Sequence, residues 1–298
     1  MILSTNFCSL GGSRATRQVL LAAPVVLLFA LGLLVPLVVL LRQSLLDGSS
    51  GRLTLQNYAA VVTSLAYRRA LLNSVLIAVA STLLALILCF PVAIYIERSN
   101  GPYRNALAIA LTVPLSLPGI VIGFFVILFF GTTGVVPQLF LLLTGERQLS
   151  LAYTFGGMLL GYLYFQIPRV VLVLRGAVSA LSQDVIDVSR TLGATPLQVY
   201  LNVLIPTLLP ALLSAASVSL ATALGAFGTA ATLSRGFRVL PLEIASSFTE
   251  SFQPERAASL SIALTLLTTA ILLGLGQVAE RGLQPHRPPD MLQRELVK

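Results

Sequence analysis

The sequence predicts an all-α integral membrane protein of about six transmembrane helices, and three observations carry that prediction. Hydrophobic residues make up 56% of the 298-residue chain and charged residues 10%, against roughly 25% charge in an ordinary soluble domain. The mean hydropathy is +0.91. Six apolar runs each reach the ~20 residues that a bilayer-spanning helix needs. Strand-like alternation is lacking, and helices satisfy their backbone amides internally, as lipid demands.

The first run, residues 19–41, holds 23 uncharged residues. That exceeds the roughly 7–15 of a signal-peptide core, and no small-x-small site follows before Arg42, so it reads as an uncleaved span. The second, 70–96, has a polar side made by Asn73, Ser74, Ser81 and Thr82. The third, 106–130, contains Pro114 and Pro118 with Ser116 and Gly119 beside them, a pattern that kinks or opens a helix. The fourth, 151–174, carries Arg169 directly after Pro168. Snorkelling to the headgroups near a cytosolic helix end is the favoured expectation for Arg169, and a pathway-facing role is the sharper one.

The uncharged stretch 191–234 is 44 residues long, too long for a single span. It divides into the end of an amphipathic segment, a fifth span at 203–224 and a Gly-rich exit at 225–228. Ser214, Ser217, Ser219 and Thr222 give the fifth span a small-residue polar side that also permits close helix packing. The sixth span is 257–279.

The amphipathic segment, 182–206, reads SQDVIDVSRTLGATPLQVYLNVLIP. Ser182 is a predicted N-cap, with Asp184 and Asp187 early in the helix, where its dipole favours anions. Val185, Val188 and Leu192 form one apolar stripe, and Arg190 stands at pairing distance from Asp187. Gly193 fits a left-handed stop. Thr195, Pro196 and Gln198 then restart a helix as N-cap, N1 and capping-box partner.

These residues resemble the cytoplasmic coupling loop of ABC-importer permeases of the binding-protein-dependent, MetI-like type. That loop runs Glu-Ala-Ala, three residues, Gly, nine residues, Ile-x-Leu-Pro. Here Asp187, Val188 and Ser189 occupy the first three places, Gly193 the glycine, and Val203, Ile205 and Pro206 the end. The acid is Asp, both Ala positions are replaced, and the spacing is intact. The resemblance implies a MetI-like permease bundle over about 65–279. It makes Asp187, Val188, Ser189, Leu192, Gly193 and Pro206 the coupling residues toward an ATPase. It also implies a two-permease pore from a second copy or a paralogue, a dimer of ATPase subunits carrying ATP and Mg, and a periplasmic solute-binding protein. Similar permeases place a Gly-rich segment after the fifth span near an outer gate. Gly225, Phe227, Gly228, Thr229 and Arg235 are the matching positions here.

Several chemistries are excluded. The sole Lys is Lys298 and the sole His is His286, so the chain has no Walker A lysine, no His-based triad and no imidazole pair for zinc. No cofactor is therefore expected in this chain. None of the 11 carboxylates falls inside an expected span, which argues against a proton relay and for energy supplied from outside. A secondary transporter or channel independent of ATP is the alternative, and it would call for embedded ionisable groups or an inverted repeat. Cys8 and Cys89 form no disulfide or metal framework. The net charge of +8 is spread over loops and tails and is no nucleic-acid footprint.

The expected organisation is a cytoplasmic tail (1–18), a first helix and outer loop (19–64), the permease unit (65–279) and a second cytoplasmic tail (280–298), in a bacterial inner membrane. Ten Lys or Arg then lie inside and eight outside, with Arg169 completing the 19, so the resemblance decides orientation more than the charge does. The outer segments carry eight bases and five acids, net +3, which favours an anionic solute. A phosphonate or another oxyanion ranks ahead of a polyamine or ferric iron.

Overall fold

Proline and glycine decide where this chain stops crossing the bilayer, most visibly in the third apolar run. The computed structural model describes residues 14–48, 50–99, 101–145 and 151–283. Cys8, His286, Lys298 and most of both expected tails lie outside them. Helix α1 is Arg14–Ser44, α2 is Gln56–Thr63 and α3 is Leu65–Arg98. The third run, expected as one span over 106–130, is instead broken. Helix α4 (Arg104–Thr112) passes into a 3₁₀ turn at Val113–Ser116, and α5 starts afresh at Gly119–Phe130. Pro114 and Pro118 each lack an amide proton, and Pro118 holds extended backbone as the N-cap of α5. The apolar span here runs Gly119–Thr144 and includes α6, Val135–Thr144.

The remaining helices are α7 (Phe155–Ala180), α8 (Gln183–Thr191), α9 (Pro196–Gln198), α10 (Ile205–Leu224), α11 (Phe227–Leu233), α12 (Leu240–Thr249) and α13 (Pro254–Leu283). A π-helical turn at Val199–Leu204 joins α9 to α10. The fifth span therefore begins at Pro196, seven residues before the expected 203. Among the described residues six helical segments are long and apolar enough to cross a bilayer, and no strand forms.

Helices α3, α7 and α10 pack on one another at the centre, α13 covers α10 and α12, and α1 lies outermost against α13. The interior has two tiers. Toward α8, Phe90, Ala93, Val171, Leu174, Leu204 and Leu208 form one buried cluster. Toward α11 and α12, Ile77, Ile122, Met158, Tyr162, Leu224 and Val239 form another. The polar side of the second span is spent on packing between these helices. Gln166 Nε2 donates to Ser81 Oγ at 2.5 Å, Thr82 Oγ1 donates to Ser219 Oγ at 3.2 Å, and Ser74 Oγ accepts from Leu240 N at 2.7 Å. Each bond satisfies a hydroxyl that would be costly to strand in an apolar interior.

Candidate functional site

The unit between the fourth and fifth spans is built as the sequence grammar requires. Ser182 Oγ accepts from Asp184 N at 3.2 Å and caps α8. Gly193 closes the helix with φ +86°, a left-handed conformation. Its N–H donates to Arg190 O at 2.9 Å and Ala194 N donates to Ser189 O at 3.1 Å, the paired bonds of a Schellman stop. The capping box follows, with Thr195 N donating to Gln198 Oε1 at 2.8 Å and Gln198 N to Thr195 Oγ1 at 3.3 Å. Pro206 sits at the start of α10, just past the π turn. A proline at that point cannot accept the ordinary helical pattern, and the turn widens so that Ile205 N reaches Tyr200 O.

One side of α8 is anchored and the other is bare. Ile186 is buried in the cluster formed by Leu174, Val178 and Val199. Val185, Val188 and Leu192 are 41%, 57% and 83% exposed, so the apolar stripe faces away from the bundle. Ser189 Oγ donates to Val185 O at 2.7 Å and is consumed within the helix. The expected Asp187–Arg190 pair does not form. Asp187 Oδ1 accepts instead from Gln183 Nε2 at 3.3 Å, one turn earlier. Both ends of the expected pair are exposed, and an ion pair in water is worth too little to fix two long side chains.

Residues outside the loop hold it in place. Arg98, the last residue of α3, donates from Nη1 to Gln183 Oε1 at 2.6 Å and from Nη2 to Val178 O at 2.9 Å and Leu181 O at 2.5 Å. Beside it Arg175 Nε meets Glu97 Oε1 at 2.6 Å. This clamp was not read from the sequence. The signal for it is the Glu97-Arg98 pair closing one span opposite Arg175 near the end of another.

The five candidate gate positions do not share one place. Gly225, Gly228 and Thr229 line a cleft of about 410 Å³ together with Gly119, Phe165 and Arg169. Phe227 and Arg235 line a separate cavity of about 340 Å³ bordered by Arg238 and Glu250. Arg235 stacks over the Tyr153 ring, 4.5 Å from its centroid. Gly228 acts through close approach, not as a flexible turn. A Cβ on Gly228 would stand 3.0 Å from Ile120 N, and Thr229 Oγ1 donates to Gly119 O at 3.1 Å. Helices α5 and α11 thereby touch backbone to backbone across the cleft.

Arg169 departs from the snorkelling expectation. It stands 11 residues before the end of α7 at Ala180, which at ~1.5 Å per residue is about 16 Å of helix. Its guanidinium lies over the Phe165 ring at 5.6 Å and lines the cleft. Both ion pairs found among the described residues, Arg175–Glu97 and Arg238–Glu243, leave it out.

A multi-span helical bundle, with an amphipathic helix–Gly–helix unit between two spans and a cleft holding an intramembrane cation, defines a polytopic transport subunit. The chain belongs to the family of binding-protein-dependent transport system inner membrane components, whose pattern matches residues 89–281. Members are membrane permeases of ABC importers, not enzymes, and a separate ATPase hydrolyses ATP. The chain is 33% identical to the molybdenum transport system permease protein ModB of Mycobacterium tuberculosis over 221 residues, 73% of this chain and 81% of that one. It is 27% identical to the spermidine/putrescine transport system permease protein PotB of Escherichia coli over 176 residues, 58% of this chain and 63% of that one. A bacterial alginate ABC transporter in complex with an alginate-pentasaccharide-bound periplasmic protein superposes with a TM-score of 0.77 at 16% identity. The superposition covers 90% of this chain and 96% of that one. The MetNI methionine ABC transporter in an inward-facing conformation gives 0.57 at 17% identity, covering 72% and 95%. Both show a shared fold.

Proposed function

We propose that this chain is the permease subunit through which a small oxyanion, of the molybdate or phosphonate class, enters a bacterial cell. The observation that carries the reading is α8, a capped helix whose Val185, Val188 and Leu192 stand bare beside the Gly193 stop. Apolar side chains this exposed on a helix with one buried residue support a protein partner on that face. The partner is an ATPase subunit. Asp187, Val188 and Leu192 enter its cleft, and Gly193 fixes the angle at which α8 is presented. Two permease subunits, from a second copy or a paralogue, frame the pathway above two ATPase subunits that hold ATP and Mg. A periplasmic binding protein delivers the solute. Both termini and α8 are cytosolic in this arrangement.

The oxyanion class is supported by the molybdenum permeases among the relatives and by the net +3 of the outer segments. Coexpression with an ABC ATPase and a solute-binding protein from the same organism, followed by affinity capture on the ATPase, tests the assembly. Uptake of labelled molybdate, a phosphonate and putrescine by the reconstituted importer tests the solute. Recovery of this chain without the ATPase, or uptake that proceeds without ATP, overturns the reading in favour of a secondary transporter.

A further inference from the structure

We infer that Arg169 is an oxyanion contact inside the membrane, and that it sets the pathway's preference for anions over cations. The inference rests on the oxyanion reading above and deepens it. A guanidinium at this depth is expensive unless something neutralises it, and intramembrane cations mark ligand paths for that reason. Arg98 is engaged through both Nη groups by carbonyls and Gln183, Arg175 by Glu97, and Arg238 by Glu243. Arg169 has the Phe165 ring and, among the described residues, no carboxylate. The charge is held over an aromatic face and left open toward the cleft.

The cleft suits such a ligand. Its volume of about 410 Å³ holds roughly a dozen waters at ~30 Å³ each, enough for a small oxyanion that keeps part of its hydration. Gly119, Gly225 and Gly228 are among its lining residues and bring no side chain of their own. Helix α5 begins at Gly119 with Pro118 as N-cap, and no side chain makes a capping hydrogen bond there. Its dipole adds to the field of the guanidinium. Arginine's planar fork matches two oxygens of a tetrahedral anion, whereas a polyamine entering the same cleft meets a fixed like charge.

The importer is reconstituted with its ATPase and binding protein, and molybdate, sulfate and putrescine are supplied in separate arms. The expected result is oxyanion uptake by the parent, lowered roughly ten- to hundredfold by Arg169→Gln, with a smaller loss for Arg169→Lys. Arg169→Cys, in a background carrying Cys8→Ser and Cys89→Ser, separates charge from folding. A cationic aminoethyl thiosulfonate reagent should restore uptake, and its neutral methyl counterpart should not. Parent-like uptake by Arg169→Gln, or equal effects of the two reagents, overturns the contact and leaves the oxyanion reading standing. A parent that imports putrescine and neither oxyanion overturns that reading, and the contact with it.

Discussion

The guanidinium of Arg98, at the end of α3, donates to the side-chain oxygen of Gln183, the first residue of α8, at 2.6 Å. The same Gln183 donates onward to Asp187, so a span on one side of the bundle reaches the exposed face of α8 through two hydrogen bonds. Removing Arg98 also takes the side-chain donor from Leu181 O at the end of α7, while Val178 O keeps its bond from Leu181 N. Arg98→Ala is expected to lower solute-stimulated ATP hydrolysis several-fold with the chain still inserted. In a double-mutant cycle with Gln183→Ala, the two losses should overlap by about 0.5–1.5 kcal/mol. Additive losses would mean that the bond does not hold α8.

At Gly193 the constraint is torsional. No atom lies within 4 Å of where a Cβ would stand, yet φ is +86°. Gly193→Ala should cost about 1–2 kcal/mol, Gly193→Asn less, and Gly193→Val or Gly193→Pro should uncouple transport in an inserted protein. Solute uptake read beside the amount of ATPase recovered from membranes checks the order. Normal uptake by the Val variant at normal abundance contradicts it.

Asp187 separates a docking role from a local one. Its bond to Gln183 is exposed and worth under ~1 kcal/mol to the helix. If Asp187 meets a basic group on the ATPase, Asp187→Arg should cost several-fold to a hundredfold in complex recovery, because two like charges would be partly desolvated. Asp187→Glu should assemble as the parent does. Parent-like recovery of the Arg variant would confine Asp187 to the helix.

At Gly123, α5 lies directly against the Thr232 side chain of α11. A Cβ there would sit 1.6 Å from Thr232 Oγ1 and 2.7 Å from Thr232 Cβ. Gly123→Ala is therefore expected to lower the melting temperature of the detergent-solubilised importer, with a loss of roughly 1–3 kcal/mol from overpacking. Thr232→Gly removes both obstructing atoms and should recover much of that loss. Equal stability of Gly123→Ala and the parent would show that the two helices part freely.

The proposed orientation is checked with single cysteines at Ser50 and Gln198 in a background lacking Cys8 and Cys89. An impermeant thiol reagent on intact cells should label the first and spare the second. The opposite pattern inverts the assignment.

How much of this was legible in the sequence depends on the range of the interaction concerned. The α8–Gly193–α9 unit was, because its signals are local. Ser182 needs only Asp184, Gly193 only its own torsion, and Thr195 only Gln198. The class and number of spans were legible because hydropathy is a property of single segments. The third span was misplaced although Pro114 and Pro118 were read as a kink, because an apolar run does not show whether a proline bends a helix or ends it. The contacts of Arg98 were not read, and those of Arg169 were left between two expectations, for a different reason. Whether an arginine reaches lipid headgroups, a carbonyl or a cleft depends on which helices stand beside it. The contacts of Arg98 lie about 80 residues away. The cleft around Arg169 draws on α5, α7 and α11 together.

The helix that starts at Thr195 runs 29 residues, Pro196–Leu224, before it yields to Gly225. At ~1.5 Å per residue this is a rod of about 43 Å, with the α8 stop at one end and the Arg169 cleft at the other. Its compliance is concentrated near the α8 end, where the π turn and Pro206 loosen the hydrogen-bond ladder. A rod hinged close to one tip magnifies motion at the far tip. A tilt of a few degrees imposed beside Gly193 would swing Gly225 by ångströms, which is the scale on which a cleft that Gly225 helps to line opens or shuts.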